Sequence, residues 1–205
     1  PVVVVDGYIP AGAIHVPADK AGLSSFVASM LTRGSAAYDF DRFNETIESI
    51  GASLGVGSSD HYTSFNATSL AEDFPTIIEV LADVLQRPTF PSGYVETISQ
   101  IQQPDLAAFH ASRYTPQGAI IVVVGAIETQ AVLNLIHTHF GTWQGTAPDK
   151  QVPPFLAQPV GQRIHHPIPG KIQSDLVVGR LAIPRHHPDF YAVRVANNIL
   201  GQFGM

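Results

Sequence analysis

Leu23-Ser24-Ser25-Phe26-Val27-Ala28-Ser29-Met30-Leu31 is the stretch whose reading decides the fold of this chain. Its large apolar residues, Leu23, Phe26, Val27, Met30 and Leu31, recur at the spacing that gathers side chains on one face of an α-helix. Gly34 closes the helix. Ser24, Ser25 and Ser29 share it, and no His or carboxylate sits at a helical neighbour position to activate any of them.

Upstream, Val2–Val5 and then Ile9–Ile14, interrupted by Gly7, Pro10 and Gly12, read as strand material. Downstream, a helix starts from Asp41 as N-cap, turns Phe43, Ile47 and Ile50 inward and stops at Gly51. Leu54–Val56 and Tyr62–Leu70 flank a Gly57-Ser58-Ser59-Asp60 turn and form a hairpin. A third helix from Asp73 tolerates Pro75 in its first turn, buries Phe74, Ile77, Ile78, Leu81 and Leu85, and ends before Pro88 and Pro91. Ser92–Gln103 has no clear period. A short helix from Pro104 carries Leu106, Phe109 and Arg113. The continuous apolar run Ala119–Val124 then suits a central strand covered on both sides. Helix Thr129–Phe140 ends at Gly141. A Pro-rich crossing (Pro148–Pro159), strand-like Val160–His165 and Leu176–Ile183, and a helix from Pro188 or Asp189 complete the chain. The pattern is α+β: a two-layer sandwich, its sheet largely antiparallel, with helices packed on one face.

Composition excludes several functions. The 205 residues are 45% hydrophobic but only 14% charged, so a thinly charged surface is expected to lie against a partner or another lobe. A net charge of -6 opposes a nucleic-acid-binding face. The longest apolar run is far too short to span a bilayer, and no basic n-region with an apolar core opens the chain, so a soluble, cytoplasmic protein is the expectation. The absence of cysteine removes disulfides, thiolate nucleophiles and Cys-ligated zinc together. Histidine spacing does not supply a metal site either. His137 and His139 stand on opposite sides of one helix, the His165-His166 and His186-His187 pairs are adjacent, and His15, His61 and His110 are isolated. Asp105 and His110 lie near one helix but off-face. No phosphate loop or G-x-S-x-G elbow occurs.

Set in its context, Lys20-Ala21-Gly22 followed by Leu23–Leu31 and Arg33-Gly34-Ser35 resembles the zinc-helix region of the pitrilysin/insulinase/mitochondrial-processing-peptidase superfamily. Further matches follow in the family's order. They are Ile47–Ala52, Arg87-Pro88-Thr89-Phe90-Pro91, Asp105–Tyr114 with Pro116 and Val122–Gly125, Phe140–Trp143, and Pro188–Tyr191 through Leu200-Gly201. The resemblance covers nearly the whole chain. Active members carry the inverted zinc motif, in which two His one turn apart grip the ion and an intervening Glu is the general base. Here those positions fall on Ser25, Ser29 and Ala28. A long helical segment that in the family follows the Pro-Thr-Phe-Pro element, and supplies the third ligand, is missing after Pro91.

The resemblance therefore implies a single processing-peptidase-like domain over residues 1–205, incomplete after Pro91 and at its C-terminus. It implies a non-catalytic lobe or subunit of a zinc-metallopeptidase-type protein. Such a chain has no cofactor of its own and helps to enclose an unfolded peptide. Its partner is a zinc-bearing homologous lobe or subunit, or a second copy in a homodimer. Two alternatives stand beside this: an active metallopeptidase with atypical ligands from the His165-His166 and His186-His187 pairs, and a structural or assembly core subunit.

Overall fold

A computed structural model of the chain describes residues 1–94, 101–149, 170, 179 and 182–202. They fall into two compact units, Pro1–Phe155 and Leu156–Met205.

Strict alternation builds the sheet of the first unit. In β1 (Val2–Ile9) Val3, Val5 and Ile9 are buried, and in β3 (Thr63–Leu70) Thr63, Phe65, Ala67 and Ser69 are, so each strand gives one face to the core. β2 (Ser53–Ser58) and β4 (Ile120–Gly125) complete a four-stranded sheet in the order β2-β3-β1-β4. Every ladder is antiparallel, with Val5 opposite Ala67 on one side and Val123 on the other.

Helices α1 (Leu23–Met30), α2 (Phe40–Ser49), α3 (Phe74–Gln86), α4 (Gln103–Arg113) and α5 (Thr129–Phe140) contribute to the same core. α3 is its centre. Phe74, Ile77, Ile78, Val80, Leu81, Val84 and Leu85 are all buried, so α3 is apolar nearly all round. At its C-terminal end Asp83, itself buried, accepts the Ala37 N–H at 2.9 Å and pairs with Arg87. This ties the loop after α1 to α3. The two-layer α+β arrangement expected from the sequence is the observed one.

Three details differ from the expectation. The opening forms one strand, Val2–Ile9; beyond Pro10 the chain turns into a 3-10 segment, Ala13–His15, because Pro10 and Gly12 break the ladder. The cap of α2 is Asp39, whose carboxylate accepts the Arg42 N–H at 2.8 Å, rather than Asp41 two residues later. Among the described residues β4 pairs with β1 alone and stands at one end of the sheet, whereas the run Ala119–Val124 suggests a strand covered on both sides. Gly51 does end α2 in the left-handed conformation, at φ +59°.

In the second unit, α6 (Phe190–Asn197) has Asp189 at its N-cap position and runs into a wider turn, Asn198–Gln202. Strand-like Val160–His165 and nearly all of Leu176–Ile183 lie outside the described residues, as do His165 and His166.

Candidate functional site

The helix that decides the fold is also the candidate site. α1 begins at Gly22, whose φ of +93° lets the chain turn sharply into the helix while its carbonyl accepts the Phe26 N–H at 2.9 Å. Leu23, Val27 and Met30 seat α1 in the core, and Leu31 continues that face into the next turn. Ser25 and Ser29 lie one turn apart on the exposed edge of α1. Ser29 Oγ donates to the Phe26 carbonyl at 2.8 Å. Ala28, between them in sequence, is buried with 2% of its surface exposed. Ser24 is buried as well, and its hydroxyl has no hydrogen-bond partner among the described residues.

α1 packs against α4 and β2. Lys20, just ahead of α1, donates to Asp105 Oδ2 of α4 at 3.0 Å, and the same oxygen accepts the Gln102 N–H at 2.9 Å. These two contacts, the Gln102 N–H first, hold the Asp105 carboxyl below the usual carboxylate range. Asp105 is therefore committed to closing α4 against the start of α1.

As a donor set for zinc this edge does not fit. Zinc is held by imidazole nitrogens, thiolates and carboxylates, whereas serine hydroxyls keep their protons near neutral pH and a methyl group offers nothing. Among the described residues no three His, Asp or Glu side chains converge in a way that could hold a metal. The structure distributes the described histidines to separate places. His15 Nδ1 accepts the Gly12 N–H, His137 and His139 ride on α5, and His187 stands beside Asp189 at the start of α6.

His110 is the functional-looking residue that the sequence did not reveal. It is half-buried on α4, stacked on Tyr114 with ring centroids 4.6 Å apart and edge-on to Phe90 at 5.8 Å. Its Nε2–H donates to the Leu85 carbonyl at 2.9 Å, at the end of α3. Burial pushes its pKa down, so the ring is neutral at neutral pH. It borders a cavity of about 340 Å³ that Pro88, Phe90, Gln103 and Ala107 also line. The His110–Tyr114 spacing of four residues on one helix was the available signal. Asp105 and His110 bond to different partners and form no acid–base pair.

Comparisons with known proteins agree with this geometry. Residues 2–116 match the insulinase (peptidase family M16) model, and residues 100–204 match the peptidase M16 inactive domain. Subunit 1 of the mitochondrial cytochrome b-c1 complex of Bos taurus is 21% identical over 248 residues, covering 99% of this chain and 52% of that protein. The beta subunit of the mitochondrial processing peptidase of Homo sapiens is 21% identical over 244 residues, covering 96% and 49%. This chain thus spans about half the length of the curated relatives it matches. Among solved structures, the first half of the periplasmic protease PqqL from Escherichia coli superposes with a TM-score of 0.69 at 16% identity, over 77% of this chain and 45% of that one. A peptidase M16 inactive domain from Pseudomonas fluorescens gives 0.66 at 18% identity, over 73% and 48%. The two-layer fold, the helix that bears Ser25 and Ser29, and the two family matches that together cover residues 2–204 lead to one conclusion: the chain belongs to peptidase family M16.

Proposed function

We infer that this chain is a non-catalytic, peptidase-like lobe, and that it helps to form the peptide-holding chamber around a homologous lobe or subunit that bears zinc. The observation that carries the reading is α1, with Ser25 and Ser29 exposed one turn apart and Ala28 buried beside them, at the positions where the resemblance sets the two ligands and the general base of active members. Without an imidazole or a carboxylate there, the chain has no means to hold zinc or to move a proton at that place. The match to the inactive-domain family supports the same reading.

The packing of β2 beside α1 supports the chamber role. Among the described residues β2 pairs with β3 alone, and an extended peptide added to its outer side would run past Ser25 and Ser29. The resemblance further implies that the element bearing the third ligand is missing after Pro91. The alignment to subunit 1 of the Bos taurus cytochrome b-c1 complex extends over 248 positions, against 205 residues here.

The experiment is reconstitution. The chain alone is expected to leave an unfolded reporter peptide intact, and to raise cleavage when a zinc-bearing M16 lobe is added. Cleavage by the chain alone, abolished by a chelator, would end this reading. A second reading, a core subunit of a larger complex, is favoured by the similarity to subunit 1 of the cytochrome b-c1 complex over 99% of this chain. It predicts co-purification in a large assembly with no effect on any peptidase.

A further inference from the structure

Only one of the two ring nitrogens of His110 is engaged. Nε2 faces the Leu85 carbonyl, which can only accept, so the proton of the neutral ring sits on Nε2 and Nδ1 keeps a lone pair. Among the described residues nothing bonds to Nδ1. The stack on Tyr114 and the edge contact with Phe90 fix the plane of the ring.

The cavity that His110 borders has braced walls. Pro88 and Phe90 line it from the chain after α3, and Pro104 and Ala107 line it from α4. Gln103 ties the two sides together: its Nε2 donates to the Phe90 carbonyl at 2.8 Å and to the Thr89 carbonyl at 3.3 Å. The Thr89 N–H in turn donates to the Gly34 carbonyl at 2.9 Å. Phe90 stands at φ +49°, a left-handed conformation that a bulky residue holds only where its surroundings force it. Its side chain is buried, so this wall is clamped in one strained position instead of relaxing into the space beside it.

Size and chemistry then select an occupant. An apolar cavity of about 150 Å³ accepts one benzene ring. The cavity here, about 340 Å³, has room for two fused rings. None of the described side chains that line it is charged, so an ionic group would give up its hydration for no counter-charge. The amide N–H groups of Gln103 are spent on backbone carbonyls, whereas His110 Nδ1 is an acceptor still to be used. A ligand without a donor would leave that acceptor unpaired.

We propose that this cavity binds an uncharged, fused two-ring aromatic of the indole type, whose N–H donates to His110 Nδ1. Nothing in the α1 edge takes part, so the site is independent of the reading given above.

Ligand-observed NMR titration of the full chain tests this. Indole is expected to saturate a single site with a Kd below about 1 mM. 1-Methylindole, which keeps the rings and lacks the donor, is expected to bind about three- to tenfold more weakly. His110→Phe keeps a ring in place and removes the acceptor, and is expected to bind the two compounds equally. Ala107→Leu extends a side chain into the cavity and is expected to weaken both by at least about tenfold. N-acetyltryptophanamide separates the sources: binding equal to that of indole identifies a Trp side chain of a peptide, binding of indole alone identifies a free small molecule, and both uphold the site. Indole that does not saturate in the millimolar range overturns the proposal. So does a preference for the N–H that survives in His110→Phe, or affinity indifferent to Ala107→Leu. If His110→Phe does not fold, the Nδ1 resonance of His110 in the wild type decides: it is expected to shift with indole and not with 1-methylindole, and a resonance that stays in place refutes the contact.

Discussion

Replacing His110 by Phe isolates one hydrogen bond without emptying the space around it. The Phe ring keeps the stack on Tyr114 and the edge contact with Phe90, but it cannot donate to the Leu85 carbonyl. Leu85 is in the last turn of α3, where carbonyls have no partner within the helix. Losing the donor leaves a buried acceptor unsatisfied, which costs about 1–3 kcal/mol. For a chain of this length each kcal/mol lowers the melting temperature by about 2–4 °C. The same residue predicts a pH dependence. Its folded pKa is depressed from 6.5, so the unfolded chain takes up a proton that the folded chain resists. Its contribution is complete above the unfolded value and is lost as pH falls below 6.5 toward the folded value. Urea unfolding of wild type and His110→Phe from pH 8 to pH 5 therefore yields two curves, the wild type more stable at pH 8 and the gap narrowing on acidification. Equal stability at pH 8, or a gap that does not change below pH 6.5, refutes the reasoning.

Asp39→Ala removes the carboxylate that caps α2 and is expected to cost about 1 kcal/mol in thermal unfolding; an unchanged melting temperature contradicts the capping role. Asp105→Asn is expected to flatten the acid limb of the stability curve. The carboxyl is held down by the Gln102 N–H and Lys20, so its contribution is present above the ordinary carboxylate range and lost as pH falls through the lowered folded value. A variant whose acid limb superposes on that of the wild type rules this out. Gly7→Ala drives a methyl group into the Phe65 ring and the Ile120 carbonyl, where β1 lies between its neighbours. It is expected to cost about 1–3 kcal/mol or more in urea unfolding, and a neutral outcome means that the β1–β4 ladder is looser than described.

What was legible in the sequence was what period and punctuation encode. The spacing of Leu23, Val27, Met30 and Leu31 located α1, and Gly51 marked the end of α2, because only one buried face and one left-handed stop satisfy those patterns. The place of β4 in the sheet order was not legible, because an unbroken apolar strand has the same sequence pattern at an end of a sheet as inside it, and tertiary pairing alone decides between them. The shift from Asp41 to Asp39 reflects two acidic residues within one turn, either of which suits a cap until backbone geometry chooses. At the candidate site, Ser25, Ala28 and Ser29 were reached through the family motif. His110 had only its four-residue spacing from Tyr114 to mark it, and its role depends on Leu85 from a helix distant in sequence.

The claim on which the rest depends is chemical: α1 offers hydroxyls and a methyl where an active relative offers imidazoles and a carboxylate. Equilibrium dialysis of the full chain against zinc at neutral pH, followed by elemental analysis, tests it most directly. The account predicts no stoichiometric zinc, and the same residual metal in Ser25→Ala and Ser29→Ala as in the wild type. One tightly held zinc per chain, lost on replacing either serine, would contradict it.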